Sequence, residues 1–95
     1  MSDTRTSDGL EPRRKKALFR AHHRGTKEMD FVMGRFADAH IGDLSDDDLT
    51  DFERLLDVSD QEMFSWLVGS IPIDPLHDRP VWRAMAEYTR VNGGL

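Results

Sequence analysis

Ser45-Asp46-Asp47-Asp48-Leu49-Thr50-Asp51-Phe52-Glu53-Arg54-Leu55-Leu56 reads as one amphipathic helix with its own start signal. Ser45 stands three residues before Asp48, the spacing of a capping box in which each side chain can satisfy the other's backbone donor. Asp46, Asp47 and Asp48 suit the positive end of the helix dipole, and Leu49, Phe52, Leu55 and Leu56 recur at steps of three and four to form one apolar face. Such a face has to be covered, and the flanking sequence supplies partners of the same period. Upstream, Met29, Val32, Met33 and Phe36, with His40 one turn further on, predict a helix that starts at Thr26 or Lys27. Gly34 interrupts it on the polar side at a cost of about 1 kcal/mol against alanine, which close packing of another backbone would explain.

Downstream, Ser59 and Glu62 repeat the capping arrangement before Met63, Phe64, Trp66 and Leu67, and Gly69 ends that segment. Ile71-Pro72-Ile73-Asp74-Pro75 cannot easily continue a helix and is expected as a linker laid over the core. Pro80 suits the first turn of a last helix carrying Val81, Trp82, Met85 and Tyr88, which Asn92-Gly93-Gly94 terminates. With the basic run Arg13–Ala21 as a first helix ending near His22 and His23, and no period-2 pattern or long repeat, the fold class is all-α, a compact bundle of about five short helices. Residues 1–11 are expected as a disordered tail and 12–92 as a single helical domain.

Ninety-five residues with 38% hydrophobic content support one small core without a deep enclosed cavity. The absence of cysteine removes disulfides, thiolate nucleophiles and cysteine-based zinc sites. No apolar stretch reaches the length of about 18 residues that spans a membrane, and the N-terminus has no hydrophobic signal core, so a soluble protein without membrane insertion is expected. Asp3, Asp8 and Glu11 make the N-terminus unlike an acid-poor transit peptide, which points to a prokaryotic cytoplasm. Formal net charge is −5, with cations gathered over residues 13–27 and acids over 43–62, a polarity that can orient a partner during encounter.

The histidines His22, His23, His40 and His77 have no metal-ligand spacing, and neither a nucleophile elbow nor a glycine-rich phosphate loop is present. His22 and His23 are expected to close the first helix or border a docking face, and His40 to lie at the negative end of the second helix. Trp66 and Trp82 read as core aromatics or as interface anchors. Neither a catalytic residue nor a metal ligand is assigned.

The segment His23-Arg24-Gly25-Thr26-Lys27-Glu28 places a cation, a permissive glycine and a carboxylate at a helix start. Glycine tolerates positive φ and close backbone approach, and Glu28 in the first turn faces free N–H groups. From pattern alone this is a helix stop followed by a charged helix start, or a docking turn.

Arg24-Gly25-Thr26-Lys27-Glu28-Met29-Asp30, followed by Leu44-Ser45-Asp46-Asp47 and then Asp60-Gln61-Glu62-Met63-Phe64-Ser65-Trp66-Leu67, resembles the succinate dehydrogenase assembly factor family, the FAD assembly factors. The resemblance runs from about Arg13 to about Tyr88. It implies a compact five-helix fold and a non-enzymatic chaperone that helps the flavoprotein subunit of succinate dehydrogenase, and sometimes that of fumarate reductase, acquire covalent FAD on a histidine of the client. FAD is then the client's cofactor, with none bound stably here. Arg24, Gly25 and Glu28 match the family's motif.

The expected partner-binding residues are Arg24, Gly25, Glu28, Asp30 and His23. Gly25 would allow close approach, and Arg24 and Glu28 would make charge-assisted contacts with the client. Gly25→Arg is accordingly expected to block docking with little effect on folding. The free protein is expected as a monomer. Two other classes stay open: a nucleic-acid-binding module using Arg13–Lys16, which the overall acidity and the lack of a helix-turn-helix signature oppose, and a small regulatory subunit that remains with its finished complex.

Overall fold

Three helices begin on a hydroxyl side chain that accepts a backbone amide of the first turn. The Thr26 hydroxyl accepts from the Met29 amide at 3.3 Å, Ser45 from Asp48 at 3.1 Å, and Ser59 from Glu62 at 3.2 Å. Each satisfies a donor that the helix cannot pair internally. The computed structural model describes residues 9–93, and within them the helices are α1 (Pro12–His22), α2 (Lys27–His40), α3 (Asp46–Leu56), α4 (Asp60–Val68) and α5 (Pro80–Asn92). Pro12 and Pro80 occupy the first turns of α1 and α5, where a missing N–H costs nothing. Gly69 and Gly93 end α4 and α5 at φ 80° and 73°, left-handed values that favour glycine. The described residues are all-α, as the periodicity predicts.

α2 lies against α1, α4 and α5, while α3 packs on α1 and α5. Their apolar faces meet around Phe36 and Phe52, whose rings are 5.9 Å apart, with Met29, Met33, Ile41, Leu49, Leu55, Met63 and Met85 fully buried about them. Burial of these faces is the main favourable term holding the bundle. Trp82 is buried and meets the half-buried Trp66 edge to face at 6.0 Å. His40, in the last turn of α2, lies beside Phe36 and Tyr88. Asp51 is nearly buried on α3 and accepts a hydrogen bond from Nε of Arg79 at 3.1 Å, which ties the start of α5 to α3.

Four details differ from the sequence expectations. Phe64 is 43% exposed, because Met63 beside it takes the inward position and adjacent helical residues point about 100° apart. Residues 71–79 are more than a linker: Ile73 packs on the core, and Asp74 caps a 3₁₀ turn, Pro75–His77, by accepting the Leu76 amide. Gly34 lies on the buried face, not the polar one. A Cβ there would come within 2.5 Å of His22 Nδ1, so the close neighbour is an α1 side chain and not a backbone. Finally, Leu10 packs against the core within the segment expected to be tail, whose residues 1–8 lie outside the described residues.

Candidate docking site

The connection between α1 and α2 is fixed by a side chain that points inward. Arg24 is only 8% exposed in its side chain, and its guanidinium closes the gap between the end of α3 and the start of α4. Nη1 donates to the Leu56 carbonyl at 2.6 Å, Nη2 donates to the Val58 carbonyl, and Nε donates to Asp60 Oδ1 at 2.8 Å. The carbonyls at a helix C-terminus lack intrahelical partners and carry the negative end of the dipole, which makes them good acceptors for a buried cation. Asp30, in the first turn of α2, reaches back so that its carboxylate accepts the Arg24 backbone N–H. Arg24 and Asp30 therefore build the turn from within.

Gly25 is exposed, and its backbone is outside the left-handed region, so conformational freedom does not explain the glycine. The explanation is steric. A Cβ at this position would sit 2.8 Å from Asp60 Oδ2, closer than a carbon and an oxygen can pack without displacement. The close approach that glycine permits is made by a carboxylate of the same chain. A substitution such as Gly25→Arg consequently presses on the Arg24–Asp60 pair, and the expectation of little effect on folding is corrected on that ground.

His23 caps α1, with Nδ1 at 2.7 Å from the Phe19 carbonyl and its ring stacked on Phe19 at 3.9 Å. Phe19 itself is exposed. Glu28 is exposed on the first turn of α2 and has no side-chain partner among the described residues. Of the five residues that the sequence nominates, Gly25, Glu28 and His23 face solvent, while Arg24 and Asp30 hold them in place.

Beside this turn lies an open groove of about 420 Å³, lined by Thr26, Glu28, Asp60, Gln61, Phe64 and Ser65. The first turns of α2 and α4 form its walls. It has two carboxylates and no cation in its lining, and among the described residues only Asp60 of the two is paired with a cation, Arg24. Asp60, Gln61 and Phe64 were not nominated from sequence. Asp60 is recognisable only once residues 24 and 60 are neighbours, whereas the Met63-Phe64 pair carries a usable signal, since a short helix cannot bury both rows.

A larger cleft of about 540 Å³ separates Leu67 of α4 from Arg83, Glu87 and Arg90 of α5. Its charges are internally paired: Arg83 bonds Asp78, and Arg90 bonds Glu87, an interaction that lowers the Glu87 pKa and raises that of Arg90. That pairing leaves less uncompensated charge for a ligand than the groove beside Glu28 offers. Among the described residues no three His, Cys, Asp or Glu side chains converge as a metal site requires.

The basic run on α1 is largely paired as well. Arg13 bonds Glu53, Arg14 bonds Glu11 and the Ile41 carbonyl, and Arg20 bonds Asp57. Lys16 helps to lower the Glu53 pKa through its charge, and Lys15 has no side-chain partner among the described residues.

Comparison with known proteins places these features in context. Residues 15–89 match the family described as flavinator of succinate dehydrogenase. The FAD assembly factor SdhE of Acetobacter pasteurianus is 38% identical over 87 residues, covering 92% of this chain and 80% of that protein. The mitochondrial succinate dehydrogenase assembly factor 2 of Meyerozyma guilliermondii is 32% identical over 75 residues, covering 79% of this chain and 56% of that protein. The corresponding protein of Mycosarcoma maydis is 33% identical over 69 residues. This chain thus spans most of the bacterial relative and about half, or less, of these longer mitochondrial ones.

Proposed function

The chain belongs to the family of flavinators of succinate dehydrogenase, and we propose that it is an assembly factor promoting covalent attachment of FAD to the flavoprotein subunit of that enzyme by holding the immature subunit. The related subunit of fumarate reductase is a second client of the same kind. Glu28 carries the proposal: a carboxylate without a side-chain partner among the described residues, displayed on a turn that Arg24, Asp30 and Asp60 hold in place. A preformed surface loses little conformational freedom on binding, so more of the contact energy is available to select one client conformation. To act, the factor must bind the flavin-ready arrangement more tightly than its competitors.

The bond-forming chemistry belongs to the client histidine and the flavin in this scheme. The factor is not an enzyme, binds no cofactor stably and works as a soluble cytoplasmic monomer. No helix among the described residues is long and apolar enough to cross a membrane. A nucleic-acid role is not taken up, because three arginines of the basic run are already engaged with acceptors of the same chain.

The test is deletion of the gene in its own host, with covalent flavin on the flavoprotein subunit read by in-gel fluorescence. Complementation by the wild type should restore the signal and Glu28→Ala should not, although that variant keeps its helical circular dichroism. Unchanged fluorescence in the deletion strain would refute the assembly role, and full rescue by Glu28→Ala would remove Glu28 from it.

A further inference from the structure

We infer that the groove between α2 and α4 receives an extended segment of the client that presents an arginine or lysine next to an apolar side chain, with Glu28 meeting the cation and Phe64 the apolar neighbour. The inference rests on the assembly role proposed above and specifies the chemistry of the surface recognised.

Charge complementarity supplies the first argument. The groove is lined by two carboxylates and no cation, and they differ in availability. Asp60 is 17% exposed in its side chain and bonded through Oδ1 to the buried Arg24, whereas Glu28 has no partner among the described residues. Glu28 is therefore the uncompensated charge of the groove, and a cation is the group that it would select.

The apolar part is independent of that argument. Phe64 is 43% exposed at the groove wall, and Val68, one turn further along the same face of α4, is 48% exposed. Ile71, just past the end of α4, is 52% exposed. A strip of large apolar side chains that starts at a concave site and carries no charge of its own is the kind of surface that marks a protein contact. Gln61 also lines the groove, and its side-chain amide, with no partner among the described residues, offers a donor and an acceptor to the main chain of an extended segment. A volume of about 420 Å³ lies within the range of about 300–1,000 Å³ usual for ligand pockets, enough for a few side chains and too small for a folded domain. An arginine would suit both walls, because its guanidinium can bond a carboxylate and lie on an aromatic face.

The experiment is equilibrium binding of the purified flavin-free flavoprotein subunit to the wild type, Glu28→Gln, Glu28→Lys and Phe64→Ser, each at low and at physiological salt. Wild-type affinity should fall with salt, since the Glu28 contact is exposed. Glu28→Gln should lose about tenfold in affinity and flatten the salt response, Glu28→Lys should lose more, and Phe64→Ser should lose about tenfold with the salt response kept. Glu28→Gln and Phe64→Ser should melt close to the wild type, because both side chains are exposed in the free protein, and Glu28→Lys slightly below it, because a cation there opposes the α2 dipole. Wild-type affinity in Phe64→Ser, or undiminished binding by Glu28→Lys, overturns the inference and leaves the assembly role intact. A wild-type protein that does not bind the subunit defeats the assembly role and the inference together.

Discussion

Gly25→Ala adds a single methyl group, and the structure fixes what that methyl meets. Alanine fits the backbone at this position without left-handed strain, so its effect through the unfolded chain alone would be stabilising by about 0.4–1 kcal/mol. Against this, the Cβ would lie 2.8 Å from Asp60 Oδ2 and force the carboxylate to move. That carboxylate is only 17% exposed and is held by Arg24 Nε at 2.8 Å, so it cannot retreat without lengthening a nearly buried ion pair. Overpacking of this kind costs about 1–3 kcal/mol, so the net change runs from near zero to a destabilisation of about 2.6 kcal/mol.

The sign of the effect should reverse when the obstacle is removed. Asp60→Ala by itself should cost about 2–3 kcal/mol, since Arg24 loses its charged partner but keeps the Leu56 and Val58 carbonyls. In that background Gly25→Ala should be neutral or slightly stabilising, a coupling of about 1–3 kcal/mol between positions 25 and 60. Asp60→Asn separates shape from charge: an atom still occupies the Oδ2 position, so Gly25→Ala should stay costly there. Urea denaturation followed by circular dichroism measures all five variants and the wild type, and each kcal/mol corresponds to roughly 4–8 °C in melting temperature for a domain of this size. Additive costs for Gly25→Ala and Asp60→Ala, within about 0.3 kcal/mol, would refute the steric account of Gly25.

Gly34→Ala should be close to neutral, because a helix-propensity gain of about 1 kcal/mol is offset by expulsion of the His22 ring and loss of its 2.8 Å contact with Asp38. In a His22→Ala background the same change should stabilise by about 1 kcal/mol, and a destabilisation there would show that something other than the imidazole needs the glycine. Ser59→Ala should cost about 1 kcal/mol by removing the α4 cap, with a matching fall in urea midpoint; no change would mean that water replaces the hydroxyl fully. The Arg13 guanidinium bonded to Glu53 holds that carboxyl below the usual carboxylate range. The pair therefore stabilises the fold above the ordinary glutamate pKa and ceases to do so as pH falls through the lowered one. Wild type and Glu53→Gln should differ in melting temperature at pH 7 and converge near pH 2, whereas an equal difference at both would assign the contact to hydrogen bonding alone.

Local chemistry was legible in the sequence and tertiary chemistry was not. Thr26, Ser45, Ser59, Pro80 and Gly69 act on residues at most four positions away, so their order in the chain is enough to place helix starts and stops. The apolar stripes of α2 and α3 were readable for the same reason. Arg24 illustrates the opposite case. Its acceptors lie 32 to 36 residues downstream, so the motif shows a cation at a turn and gives no sign that it points inward. Gly25 was recognised as special but for a backbone reason, because the real one belongs to Asp60. On α4 the capping signal placed a helix carrying Met63, Phe64, Trp66 and Leu67, and only the packing of Met63 against the core decided that Phe64 would face the groove.

The bonds from Arg24 also impose an order on the chain's own maturation. They close a loop of some 35 residues, so the turn at 24–28 gains its fixed geometry only after α3 and the start of α4 have docked. A chain emerging from the ribosome displays the motif residues as soon as α2 is made, yet at that stage nothing clamps the loop around Gly25 or forms the second wall beside Glu28. On the proposed role, recognition by this surface is gated by completion of the fold, and a truncated or half-folded copy would carry the motif without the clamped turn and groove.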